Sequence, residues 1–149
     1  MEIKVKPKSF QYDVRVRWSA EKRGVLRAEG RPDLEVASPP EFRGHPGLWT
    51  PEHLLVAAVN ACTMLTFLSA VARSGIRLIS YDCDATGTLE HAEGTFRFTK
   101  VVLRPRIIVA GPDDIDRAHA AFRDAEGSCL VSNSLLTKVE SRPEISAGD

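Results

Sequence analysis

The chain has 149 residues, with 20 Lys plus Arg against 20 Asp plus Glu and a formal net charge of zero; that length suits a single domain over 1–149. The charge balance argues against a dedicated nucleic-acid binder, and 43% hydrophobic with 27% charged residues excludes a disordered chain. Three cysteines are too few, and odd in number, for a secreted disulfide framework, so a cytoplasmic protein is expected.

Residues 1–8 are basic but lead into mixed sequence, without the apolar run of roughly 7–15 residues that a secretory signal needs. Residues 9–18 alternate, with Phe10, Tyr12, Val14, Val16 and Trp18 on one parity and Gln11, Asp13, Arg15 and Arg17 on the other. Period two predicts a half-buried strand. Glu21-Lys22-Arg23-Gly24 reads as a hairpin turn, 25–28 as the returning strand and 33–37 as a third. Residues 38–50 hold three prolines and two glycines, so a loop without regular structure is expected, long enough to be functional.

Thr50-Pro51-Glu52 is a helix start, with a Thr N-cap, Pro at the first position and an acid in the first turn. The helix is expected to run to about Ser74, where Gly75 stops it. Residues 54–72 include no charge over 19 positions, which meets the rough threshold for a membrane span. Asn60, Thr63, Thr66, Ser69 and five alanines in that stretch instead favour a buried central helix over a membrane span.

Strands follow at 78–89 and 95–110, joined by a turn at Glu93-Gly94. Tyr81, Cys83 and Ala85 fall on one face, Asp82, Asp84 and Thr86 on the other. Pro105 marks an edge or a bulge, since it cannot donate to a ladder. An amphipathic helix over 113–126 is ended by Gly127, a short helix is expected at 128–136 and a last strand at 137–145. Helices segregated from hairpins give an α+β class, with a sheet of about six strands. A central helix apolar on every side needs more cover than these elements supply, so an obligate homodimer is expected.

Phosphate-binding glycine loops, a GxSxG elbow and HExxH are all missing from the sequence, and the cysteines lie 21 and 46 positions apart, too far for a CxxC pair. Metal and nucleotide chemistry are not expected. Cysteine chemistry remains. By spacing alone Cys62 reads first as a small buried hydrophobe in mid-helix, and reactivity would need a cation brought from elsewhere, Arg43 or Arg23. Glu52 reads first as a helix-dipole acid. Cys129, just past the Gly127 break, is balanced between structural and redox roles, because the first turn of a helix favours a thiolate. Cys83 reads as packing.

The stretch Pro51-Glu52-His53-Leu54-Leu55-Val56-Ala57-Ala58, with Cys62 ten residues after the glutamate, and Gly127-Ser128-Cys129-Leu130-Val131-Ser132, 67 residues after Cys62, resemble the OsmC/Ohr family of osmotically inducible and organic-hydroperoxide-resistance proteins. The resemblance spans nearly the whole chain. It implies an OsmC-like fold, an antiparallel sheet packed around a long buried central helix, in an intertwined homodimer. It also implies Cys62 as the peroxidatic thiolate, Cys129 as the resolving thiol and a Cys62–Cys129 disulfide reopened by a thiol or dithiol reductant, with no metal or organic cofactor. Glu52 would orient the family's arginine, placed at Arg43 in preference to Arg23. Leu130 stands where many members have proline. Phe42, Leu48 and Trp49 are candidates for an apolar wall that selects organic hydroperoxides, and core packing explains them equally well. A non-enzymatic redox sensor or binder of a small apolar ligand is the alternative function.

Overall fold

The computed structural model describes residues 8–148; the basic start read in the sequence lies, up to Pro7, outside the described residues. By its contacts the chain divides into two compact units, one reaching Pro51 and one from Glu52 onward, and each is described on its own.

The first unit carries a three-stranded antiparallel sheet in the order β1 (Arg15–Ala20), β2 (Arg23–Arg27) and β3 (Leu34–Ala37). The β1–β2 turn sits at Glu21, with φ of 50°. The strand expected over 9–18 begins only at Arg15, and its half-burial is not met. Val14, Val16 and Trp18 are 65–75% exposed, because nothing within the chain packs over that face. Opposite them, Val16 pairs with Leu26 and Trp18 with Gly24. The loop expected over 38–50 is more ordered than its prolines suggest. A 3₁₀ turn spans Pro40–Phe42, and Trp49 returns beside Val36 as an isolated parallel bridge.

In the second unit α1 (Pro51–Ser74) has the bounds read from its Pro start and glycine stop. Gly75 takes a φ of 66°, the left-handed geometry that an L side chain resists. The Ile76 N–H donates back to the Val71 carbonyl at 3.2 Å. Val59, Thr63, Phe67, Ala70 and Val71 form its one buried face, spaced at three and four residues as a helix packed on one side requires. The helix is long and apolar enough to cross a membrane, yet only 28% of its apolar window is buried. Within one chain it is therefore a half-covered helix, not one buried all round.

Strands β4 (Leu78–Ala92) and β5 (Thr95–Val109) form a long antiparallel hairpin turned at Glu93-Gly94. The predicted faces hold. Tyr81, Cys83 and Ala85 lie inward, and Asp82 and Asp84 lie outward on Arg106 at 2.5 and 2.8 Å. The last strand expected from the sequence is in fact two, β6 (Lys138–Ser141) and β7 (Glu144–Ala147), both parallel to β5. The sheet is thus mixed, not wholly antiparallel, and the chain has seven strands in two sheets. Pro105 lies on this central strand rather than on an edge or a bulge. It falls between the β6 register, ending at Leu103, and the β7 register, starting at Arg106. A residue without an N–H fits a position where the parallel ladder is already interrupted.

Two helices follow β5: α2 (Ile115–Ser128) and α3 (Leu130–Asn133). Gly127 does not end α2, which runs through it to Ser128 and stops where Cys129 turns extended, at ψ 111°. The third helix is four residues long, half the length expected. One core cluster joins Phe67 and Val71 of α1 to Ile107 and Val109 of β5 and to Ala118, Ala121, Phe122 and Ala125 of α2. The Phe67 ring lies 5.6 Å from Phe122 and 5.7 Å from Tyr81. A second, smaller cluster joins Val59, Val101 and Leu103.

The helix approaches β4 most closely at Gly87, where a Cβ would collide with Val56 and come within 2.9 Å of the Phe98 ring. Gly87→Ala is therefore expected to cost about 1–3 kcal/mol, as over-packing does, read as a lower urea midpoint with an unchanged denaturant slope.

Candidate functional site

Cys129 occupies the single extended residue between α2 and α3 and is 1% exposed. Two hydroxyls reach its sulfur. Ser132 Oγ donates to Cys129 Sγ at 3.2 Å, and Thr63 Oγ1 lies at 3.7 Å. Thr63 has one proton to give, and the Val59 carbonyl at 2.9 Å competes for it. Ser132 is therefore the better committed donor. Burial is the largest influence on the thiol and pushes its pKa up. The Ser132 hydroxyl and N–H, the Cys62 side chain and Thr63 together outweigh it, so the net direction is down.

Cys62, half-buried on α1 next to Thr63, is therefore brought to the Cys129 sulfur as the sequence reading expects. The expected cause of a reactive Cys129 is different. A four-residue helix offers little dipole, and the thiolate is favoured by discrete hydroxyl and N–H donors. Thr63 and Ser132 were not singled out from sequence, although each sits at a telling offset: one residue after Cys62 and three after Cys129.

A depressed thiol pKa favours the thiolate above the depressed value and loses that stabilisation as pH falls through it. Ser132→Ala should therefore raise the midpoint of the Cys129 thiolate absorbance by about 1 pH unit, the scale of one lost hydrogen bond. The titration is read on a variant with Cys62 and Cys83 replaced by alanine.

Glu52 stands in the first turn of α1, and its Oε2 is buried without a hydrogen-bond partner. A buried acceptor left open is costly, and a carboxylate there calls for a donor or a cation. Cys83 packs beside Val59 and Leu103. Burial raises its pKa, so it remains a thiol at neutral pH. This accords with a packing role.

Arg43, Phe42 and Trp49 belong to the first unit. Arg43 is exposed in left-handed geometry, φ 58°, closing the 3₁₀ turn through its N–H to the Pro40 carbonyl at 2.9 Å. Phe42 is 38% and Trp49 49% exposed. The Phe42 carbonyl accepts from Lys22 Nζ, and the Trp49 carbonyl from the Ala37 N–H, both at 2.9 Å. Arg23, the other candidate, pairs with Glu21 at 3.9 Å. Among the described residues, no three His, Cys, Asp or Glu side chains come together as a metal site would require.

Relatives bear on the same elements. The chain is 28% identical over 138 residues to the uncharacterized protein YmaD of Bacillus subtilis, covering 89% of this chain and 91% of that one. An OsmC-like protein of unknown function from Vibrio cholerae superposes with a TM-score of 0.84 at 23% identity, over 91% of this chain and 100% of the other. An organic hydroperoxide resistance protein from Elizabethkingia anophelis does so at 0.74 and 20% identity, over 96% and 100%. These likenesses establish the α+β fold as OsmC-like. The OsmC-like protein family model matches residues 44–144, which hold Glu52, Cys62 and Cys129, and the chain belongs to that family.

Proposed function

We propose that this chain is a cytoplasmic thiol peroxidase that reduces organic hydroperoxides. One observation carries the reading: two cysteines 67 positions apart in sequence share a site where hydroxyls stabilise a thiolate. The hydroperoxide-resistance name of the Elizabethkingia anophelis relative points the same way. The Cys62 thiolate attacks the distal peroxide oxygen, the O–O bond breaks, and the alkoxide leaves as the alcohol after taking a proton. Cys62 is then a sulfenic acid. The Cys129 thiolate attacks that sulfur and expels hydroxide, which leaves as water, closing a Cys62–Cys129 disulfide. Thiol exchange with a thiol or dithiol reductant returns both cysteines. The same scheme admits hydrogen peroxide and needs neither metal nor organic cofactor.

Glu52 supports the reading through its open, buried acceptor. Its cation, Arg43, and the substrate wall, Phe42 and Trp49, are assigned from sequence. A homodimer is part of the proposal. It is supported by the exposed apolar row of Phe10, Tyr12, Val14, Val16 and Trp18 and by the uncovered side of α1.

One observation favours a redox sensor without turnover. Cys129 is 1% exposed, which restricts a reductant. The two readings separate in one experiment. Equimolar cumene hydroperoxide should remove two hydrogens from the intact mass, with peptide mapping to Cys62–Cys129, and excess dithiol should then sustain peroxide consumption. Oxidation without sustained consumption leaves the sensor, and no oxidation removes both.

A further inference from the structure

Beside Cys129 the second unit opens into a cleft of about 490 Å³. Thr63 and Ser132, the two hydroxyl residues that touch the Cys129 sulfur, line it. Arg123 and Glu126 of α2 also line it, with Asn133 and Thr137. Arg123 and Glu126 are three positions apart on a helix, which puts their side chains on neighbouring positions of one face. Among the described residues neither takes part in an ion pair or a side-chain hydrogen bond. Other exposed arginines of this chain, such as Arg106 and Arg117, are paired. The cleft therefore holds an open positive and an open negative group, side by side, above a polar floor whose hydroxyls rest on a sulfur.

That arrangement is chemically particular. An organic hydroperoxide gains nothing from two opposite charges. A zwitterion does, with its carboxylate forked on the Arg123 guanidinium and its ammonium on the Glu126 carboxylate. The uncharged hydroxyls and amide of Ser132, Thr137 and Asn133 suit the peptide or amide portion of such a molecule. We propose that this cleft binds a small zwitterionic thiol, an α-amino-acid or γ-glutamyl peptide thiol, which is the reductant of the Cys62–Cys129 disulfide. The binding does not depend on the peroxidase reading, whereas the reductant role rests on it.

The exchange balances. The bound thiol loses its proton to solvent, and its thiolate attacks Cys129 Sγ. The new S–S bond forms as the Cys62–Cys129 bond breaks, and Cys62 leaves as a thiolate, ready for the next peroxide. A second molecule of the same thiol attacks the mixed disulfide at its non-protein sulfur. The small disulfide departs, and Cys129 leaves as a thiolate. Two thiols are oxidised to one disulfide, and one protein disulfide is reduced to two thiols. The second step draws on the Ser132 and Thr63 donors, since a stabilised thiolate is the better leaving group.

Two measurements test the proposal. The first uses the reduced protein and S-methylglutathione, which keeps the zwitterion and cannot exchange. Calorimetry should detect binding to wild type, weakened about 10-fold by Arg123→Gln and by Glu126→Gln, the scale of one charge-assisted contact. No binding, or binding unmoved by both variants, overturns the proposal whatever the peroxide chemistry proves to be. The second uses the protein with its Cys62–Cys129 disulfide formed beforehand by diamide and follows its reduction. Glutathione should reduce wild type with a saturating rate and the Arg123→Gln variant about 10-fold more slowly, while 2-mercaptoethanol reduces both equally. An equal loss with the neutral thiol would mean a merely structural effect and overturns the reductant role. If both tests succeed but peroxide fails to form the disulfide, the zwitterion site stands and the peroxidase reading falls.

Discussion

Cys62→Ser should lower dithiol-supported consumption of cumene hydroperoxide by about 10³-fold or more, the order that loss of a covalent nucleophile costs. A serine hydroxyl is no substitute, because it is not ionised at neutral pH and has no sulfenate-like state from which a disulfide could close. Cys129→Ser should behave differently. The first peroxide should still be consumed, leaving a Cys62 sulfenic acid that mass spectrometry detects, while turnover in excess dithiol falls. Cys83→Ala should change neither, since burial keeps that thiol protonated. A Cys62→Ser protein that turns over at the wild-type rate would move the nucleophile to Cys129, whose surroundings already favour the thiolate.

The second large effect is on stability. Phe122→Ala should destabilise the fold by about 3–5 kcal/mol, the range for emptying an aromatic from a closed core. Phe122 is 1% exposed and touches the Phe67 ring, so it joins α2 to α1 over β5. Few neighbours can collapse into the space, since Ala118, Ala121 and Ala125 flank it on α2. Urea unfolding of the variant, against Leu136→Ala as a control, measures the difference. Leu136 is fully exposed, and its truncation should stay within about 0.5 kcal/mol.

Where local chemistry and tertiary demand coincide, the elements are legible in the sequence. The bounds of α1 follow from Pro51 and Gly75, and the β4–β5 turn from Glu93-Gly94, because each signal reflects a backbone geometry that few residues accept. Where packing overrides a local signal, the reading slips. Gly127 costs a helix about 1 kcal/mol relative to alanine, which is small beside the burial of Phe122 and Ala125 on the same helix. The split of the last strand at Arg142-Pro143 depends on both halves finding β5, a pairing remote in sequence. In the site, the importance of Cys62 and Cys129 is visible only through family resemblance, since spacing alone favours a packed Cys62. That Ser132 and Thr63 meet at one sulfur, with Arg123 and Glu126 open beside it, depends on how three helices converge.

The two parallel strands at the end of the chain also set an order of assembly. The β4–β5 hairpin is local and can zip from its turn as soon as it is made, whereas β6 and β7 reach β5 only after α2 and α3 have folded back. Val139 of β6 supports the small cluster around Val59 and lines the cleft beside Cys129. A nascent chain still held at its C-terminus thus has both cysteines synthesised and no finished shelter for either. The chain becomes a redox protein only with its last dozen residues, so premature oxidation during synthesis would act on thiols whose pairing the fold has not yet decided.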